Sequence, residues 1–334
     1  MLTTNANAAV SASSAARRLA TGCIVLLAIL VATPIFSENR SQTKKGNQDQ
    51  RDDDEQAVRL HSDLVVVNLV VTDASGQYAH GLTEKDFAVL EDGALQPINS
   101  FLAEETPFAA AILIDMSGSM QYKFSLVRAA AASFVDHIRD NDQVAVYGFN
   151  NKIKLFQDFS ELRDITEYIW DAKAEDMTRL YDCADEAITA LVNRPEKRKA
   201  ILLISDGCDT ISHKGSFDSV LKKSLAAGIT IYSIDLIEDI MRSGNGSGVL
   251  ELRRGQSEMK EFSSQTGGRN VHSPQGDKLE EAFTNIVDEL RNQYTLTYYS
   301  TNKKRDGRWR KLSVSVSRPG LTTRARKGYW APKS

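Results

Sequence analysis

Residues 109–119 read AAAILIDMSGS, six apolar side chains from Ala109 to Ile114 closed by Asp115 and the short turn Met116-Ser117-Gly118-Ser119. An unbroken apolar run without alternation suits a strand covered on both faces. Downstream, such runs alternate with amphipathic segments. SLVRAAAASFVDHIRD (125–140) spaces Leu126, Ala129, Ala130, Phe134 and Ile138 as one helix face. QVAVYGF (143–149) and KIKLF (152–156) read as strands, SELRDITEYIWDA (160–172) and LYDCADEAITALVN (180–193) as helices, and KAILLIS (199–205) as another buried strand. Ser216 is an N-cap for FDSVLKKSLAA, and Gly228 ends that helix before the strand ITIYSID. A helix around Glu258 to Gln265 and a last one, LEEAFTNIVDELRN, follow, with the SGNGSG stretch at 243–248 reading as a surface connection. The alternation predicts an α/β fold with a doubly wound, mainly parallel sheet over residues 108–292.

Outward from this body the character changes on both sides. LVVVNLVVTD (64–73), FAVLEDG (87–93) and PINSFL (97–102) are short β-branched runs separated by turn residues. YTLTYYS (294–300) and WRKLSVSVS (309–317), the latter strictly alternating, return to strand character around the turn Asp306-Gly307. Neither flank is long enough to be stable alone. Residues 58–107 and 293–334 are therefore expected to complete one small β-sandwich-like domain, with the α/β body inserted in it.

The 334 residues and net charge of −3 hide a division: +2 on residues 1–37, −16 on residues 38–290 and +11 on residues 291–334. The basic C-terminal strands are expected to lie against the acidic flank at 58–105. A near-neutral total gives no footing for nucleic-acid binding. Three cysteines are too few for a disulfide scaffold.

Arg17-Arg18 precedes an apolar run of 18 residues, Leu19 to Phe36. This is the pattern of a signal peptide over residues 1–37, or of an N-terminal membrane anchor, given its length. Residues 38–57, rich in charge and without a large apolar side chain, read as a disordered linker. The chain is thus expected to be exported: periplasmic, secreted, or membrane-anchored facing out of the cytoplasm.

In an open parallel sheet, ligands bind at the carboxyl ends of the strands. There the sequence puts Asp115, Ser117 and Ser119 after one apolar run, Asp206-Gly207 after another, and Thr178 in a third loop. Two carboxylates and three hydroxyls make a hard oxygen set of low charge, suited to Mg²⁺ or to Mn²⁺ or Ca²⁺. Competing chemistries lack their residues: Ser117 is not in a G-x-S-x-G elbow, and no phosphate-binding glycine loop occurs. His61, His80, His137, His213 and His272 show no metal spacing. Cys183 and Cys208 lie near the same loops, either as a disulfide or as two thiols.

Asp115-x-Ser117-x-Ser119, Thr178 and Asp206-Gly207, in this order, resemble the metal-ion-dependent adhesion site of von Willebrand factor type A domains. The resemblance runs from about Phe108 to Gln293 and includes QVAVYGF, SDGCDT and TGGRNV. The flanks resemble an exported bacterial subfamily first described in Acidobacteria. Where many members have glycine before the threonine, this chain has Glu175-Asp176-Met177. The resemblance implies ligand capture and no enzymatic turnover. Ser117 and Ser119 would be direct ligands, Thr178 direct or water-bridged, and Asp115 and Asp206 would hold coordinated waters. An Asp or Glu of a protein partner would complete the coordination. The alternative is a structural cell-envelope or assembly component whose β domain carries the interaction and whose metal site is vestigial.

Overall fold

In the computed structural model the side chains of residues 108–114 go alternately to two separate cores, as a strand buried on both faces requires. The structure describes residues 64–103, 106–125, 127, 128, 134, 137–160, 177–236, 247–272 and 277–333. The expected export segment and linker, residues 161–172 of an expected helix, and Glu175-Asp176 lie outside these. The described chain runs β1 (Leu64–Thr72), β2 (Phe87–Glu91), β3 (Ala94–Gln96), β4 (Ser100–Leu102), β5 (Phe108–Asp115), β6 (Gln143–Phe149) and β7 (Ile153–Ser160). It continues with helix α1 (Leu180–Val192), β8 (Arg198–Ser205), α2 (Phe217–Ala227), β9 (Ile229–Asp235), α3 (Ser247–Thr266), β10 (Asn270–His272) and α4 (Asp277–Arg291). Strands β11 (Tyr294–Tyr299), β12 (Trp309–Val316), β13 (Thr322–Ala325) and β14 (Gly328–Trp330) complete it.

The central sheet has the order β10-β9-β8-β5-β6-β7, parallel except for β7. From β5 the chain goes first to one side (β6, β7) and then to the other (β8, β9, β10). The order therefore reverses between β5 and β8, and their carboxyl ends form the crevice where open α/β sheets bind ligands. On one face, Ala109, Ala111 and Leu113 pack with Cys183, Ala187 and Leu191 of α1 and Val220 of α2. On the other, Phe108, Ala110, Ile112 and Ile114 pack with Phe134 and with Leu279, Phe283 and Ile286 of α4. The expected cap holds: Ser216 Oγ accepts the Ser219 N–H, and Gly228 closes α2 at φ 67°, a left-handed conformation that glycine takes without strain.

The flanks form two antiparallel sheets, β13-β1-β11-β4 and β14-β12-β2-β3. Each mixes strands from before and after the α/β body, as with Val67 opposite Leu296 and Val314 opposite Val89. Val65, Val67, Leu69 and Val71 of β1 meet Phe87, Val89, Leu312 and Val314 in an interior continuous with the α1 and α2 side of the central sheet. The opposite charges meet here. Glu91, buried, accepts from Tyr298 (2.8 Å), Ser300 (2.7 Å), Tyr329 (2.9 Å) and Arg310 (3.4 Å), while Arg318 pairs with Asp86 at 3.1 Å.

Between the body and the flanking sheets lies Arg198, at 0% exposure. Its guanidinium donates to the carbonyls of Ala103, Thr106 (3.2 Å) and Arg291 (3.3 Å) and to Thr295 Oγ1 (3.3 Å). One side chain thus ties down the incoming link before β5 and the outgoing link after α4.

Helix α3 is longer than the expected helix around Glu258 to Gln265 and takes in Ser247 and Gly248 of the expected connection, whose residues 243–246 lie outside the described ones. It begins at Ser247. Within it, a Cβ on Gly255 would lie 2.5 Å from the Gly207 backbone, so the helix crosses the loop after β8 backbone to backbone. A glycine that looks like a helix breaker is here a close-packing residue.

Candidate metal centre

Asp115 ends β5 and Ser205 ends β8, side by side in a parallel pair. Asp115 is fully buried, and its two oxygens are divided between loops. Oδ1 accepts the Ser117 N–H (2.9 Å), while Oδ2 accepts the Ser205 hydroxyl (2.5 Å). Ser205 Oγ in turn accepts the Gly207 N–H at 2.9 Å, which fixes the turn beginning at Asp206. Gly207 sits at φ 83° against Gly255 of α3. Ser117 opens a short 3-10 helix, Gly118–Lys123. Its hydroxyl lies 2.9 Å from that of Ser119, which donates to Asp206 Oδ2 at 2.6 Å. The other Asp206 oxygen accepts the Cys208 N–H at 3.0 Å.

Four of the five expected residues, Asp115, Ser117, Ser119 and Asp206, thus form one hydrogen-bonded chain across the β5/β8 crevice. Thr178 is buried just before α1. Its N–H donates to Thr210 Oγ1 (2.7 Å) and its carbonyl accepts from the N–H groups of Thr210 (3.0 Å) and Ile211 (3.1 Å), so the Thr178 loop is clasped to the loop that follows Asp206. Farther along that loop, Asp182 of α1 accepts the N–H groups of His213, Lys214 and Gly215. Tyr181 of α1 donates to Glu258 of α3.

The electrostatics fit a hard cation. Burial, and then the nearby Asp206 charge, push the Asp115 carboxyl up to about 7. The site is therefore short of positive charge, which an ion at the crevice would supply. Soft-metal chemistry is not supported. Cys183 and Cys208 are both free, burial raises both thiols, Cys208 to about 12, and the thiolates that soft metals need are suppressed. Among the described residues no group of three His, Cys, Asp or Glu has metal-holding geometry. A hydroxyl-rich set with two carboxylates is a different donor class, that of Mg²⁺ and similar ions.

Sequence reasoning missed Ser205 and Thr210. Ser205 was visible as the hydroxyl residue between the apolar run and Asp206. Thr210 carried no such signal, because its role depends on two loops meeting. It also missed the pair His272 Nδ1 to Asp235 (2.7 Å), which stands at the carboxyl ends of β10 and β9 and also engages Gln256 (2.8 Å).

The family described as von Willebrand factor type A domain matches residues 110–208, a span that holds all five expected ligands. No curated protein matches the chain. Among solved structures, a von Willebrand factor type A protein from Catenulispora acidiphila aligns at 14% identity, with a TM-score of 0.47 over 74% of each chain. An aerotolerance-related membrane protein from Bacteroides fragilis aligns at 15% identity and TM-score 0.42, over 55% of this chain and 98% of that one. Proximal thread matrix protein 1 from the mussel byssus, with a zinc-occupied MIDAS motif, aligns at 19% and 0.46, over 60% of this chain and 50% of its own. Family match, strand order and the hydroxyl and carboxylate chain at the β5/β8 crevice agree, and the chain carries a von Willebrand factor type A domain.

Proposed function

We propose that Asp115, Ser117, Ser119, Thr178 and Asp206 hold a divalent cation, Mg²⁺ or else Mn²⁺ or Ca²⁺, and that the exported chain uses it to bind a protein partner through an Asp or Glu carboxylate. The supporting observation is the bonded series Ser117, Ser119, Asp206 beside buried Asp115. When bound, such an ion supplies an electrophilic coordination position for an external carboxylate. Ser117 and Ser119 offer neutral oxygens, which leave most of the ion's charge unspent. Asp115 aims the Ser117 loop through its N–H, and Ser205 aims Asp115; both act by orientation.

Titration calorimetry with Mg²⁺ and Mn²⁺ tests the site. The native chain is expected to give saturable heats that the Ser117→Ala/Asp206→Ala variant lacks; equal heats from both would refute it. Crosslinking in the native envelope, with Mg²⁺ or with EDTA, tests partner capture. Adducts lost on chelation support it, and adducts indifferent to EDTA favour a structural component with a vestigial site.

A further inference from the structure

At the opposite end of the central sheet, where α2 stops and β9 begins, a cavity of about 440 Å³ opens between α2, β1 and β14. Its walls carry three cations, Lys222, Arg326 and Lys333, and apolar surface from Leu64, Trp330 and Pro332; among the described residues no carboxylate lines it. A volume of this order suits a small-molecule ligand.

Arg326 is the unusual member. It is only 6% exposed, yet no carboxylate among the described residues pairs with it. One nitrogen, Nη1, donates to the Leu225 carbonyl in the last turn of α2, and the guanidinium lies 5.5 Å from the centre of the Tyr329 ring. Its Nε is buried without a hydrogen-bond partner. Tyr298 and Tyr329 spend their hydroxyls on Glu91. A buried guanidinium with an idle donor is costly unless something accepts from it. Helix α2 and an aromatic face satisfy part of the charge, and the side chain lines a cavity that is cationic and apolar together.

We propose that this cavity binds a small organic anion with an apolar tail, its carboxylate on Arg326, flanked by Lys222 and Lys333, and its tail against Leu64, Trp330 and Pro332. The site lies at the far end of the sheet from the metal edge and is independent of it.

Ligand-observed NMR titration of the full chain with hexanoate, hexanol and inorganic phosphate tests this. Hexanoate is expected to bind saturably, and hexanol and phosphate about tenfold or more weaker, because each lacks one half of the recognition. Loss of a charge-assisted hydrogen bond predicts that Arg326→Met weakens hexanoate by roughly tenfold or more. Lys222 and Lys333 are exposed, so Lys222→Gln/Lys333→Gln keeps the fold and is expected to weaken it severalfold. Equal binding of hexanol, no binding by the native chain, or unchanged affinity in the double lysine variant would overturn the proposal. So would hexanoate binding only after Asp52, Asp53, Asp54 and Glu55 are neutralised, since that would make the chain's own acidic run the occupant.

Discussion

At the carboxyl ends of β5 and β8, two aspartates are buried among hydroxyls and backbone N–H groups, whereas at the other end of the same sheet Arg198 is buried among backbone carbonyls. The difference lies in the partners. A serine hydroxyl both donates and accepts, so Ser117 and Ser119 can serve Asp206 or turn their lone pairs to a cation. A carbonyl only accepts and is fixed by the chain path. Acidic charge at one end is thus held by groups free to re-pair with an ion, while basic charge at the other is built into the connections of the fold. Burial alone does not separate a binding site from a structural joint; the freedom of the partnering groups does.

The sharpest way to break this comparison is at Arg198. Arg198→Met should strand three carbonyls and Thr295 Oγ1 and cost about 3 to 5 kcal/mol, the range for breaking a buried charged network, read by urea denaturation. A loss below about 1 kcal/mol would show that the links hold without the guanidinium. Next comes the contact of α3 with the metal loop. Gly255→Ala should cost about 1 to 3 kcal/mol by overpacking against Gly207 and weaken Mg²⁺ binding, whereas Gly248→Ala, with nothing within 4 Å of the added methyl, should do neither. Equal behaviour of the two would remove α3 from any account of the site. The smallest effect belongs to Ser205→Ala. Removing the hydroxyl that orients Asp115 is expected to lower Mg²⁺ affinity by about tenfold with little change in stability, and unchanged calorimetric affinity would count against that orienting role.

Much of this architecture was legible in the sequence because it follows local rules. The two-sided burial of Ala109 to Ile114, the cap at Ser216 and the close of α2 at Gly228 each rest on residues within one element. The site residues were also legible, since Asp115, Ser117, Ser119 and Asp206 directly follow apolar runs that must end at one sheet edge. What escaped depends on distant segments meeting. Arg198 begins RKAILLIS and looks like the solvated end of a strand, until the links at 103–106 and 291–295 converge on it. Glu91 looks like the polar start of a turn, yet β2 carries it among three hydroxyls and Arg310. Gly255 lowers helix propensity wherever only its own segment is considered.

The Arg198 joint also has a mechanical meaning. Both chain links of the body leave from the end remote from the metal edge. A pull on the Ser117 loop therefore runs down β5, whose hydrogen bonds to β6 and β8 lie across the line of force and must be sheared together. The load then reaches β4 and β11, antiparallel neighbours that resist sliding in the same way, with the guanidinium bridging the two links just where they would be drawn apart. A load on the site would thus be carried along the strands, with Arg198 bridging the two links.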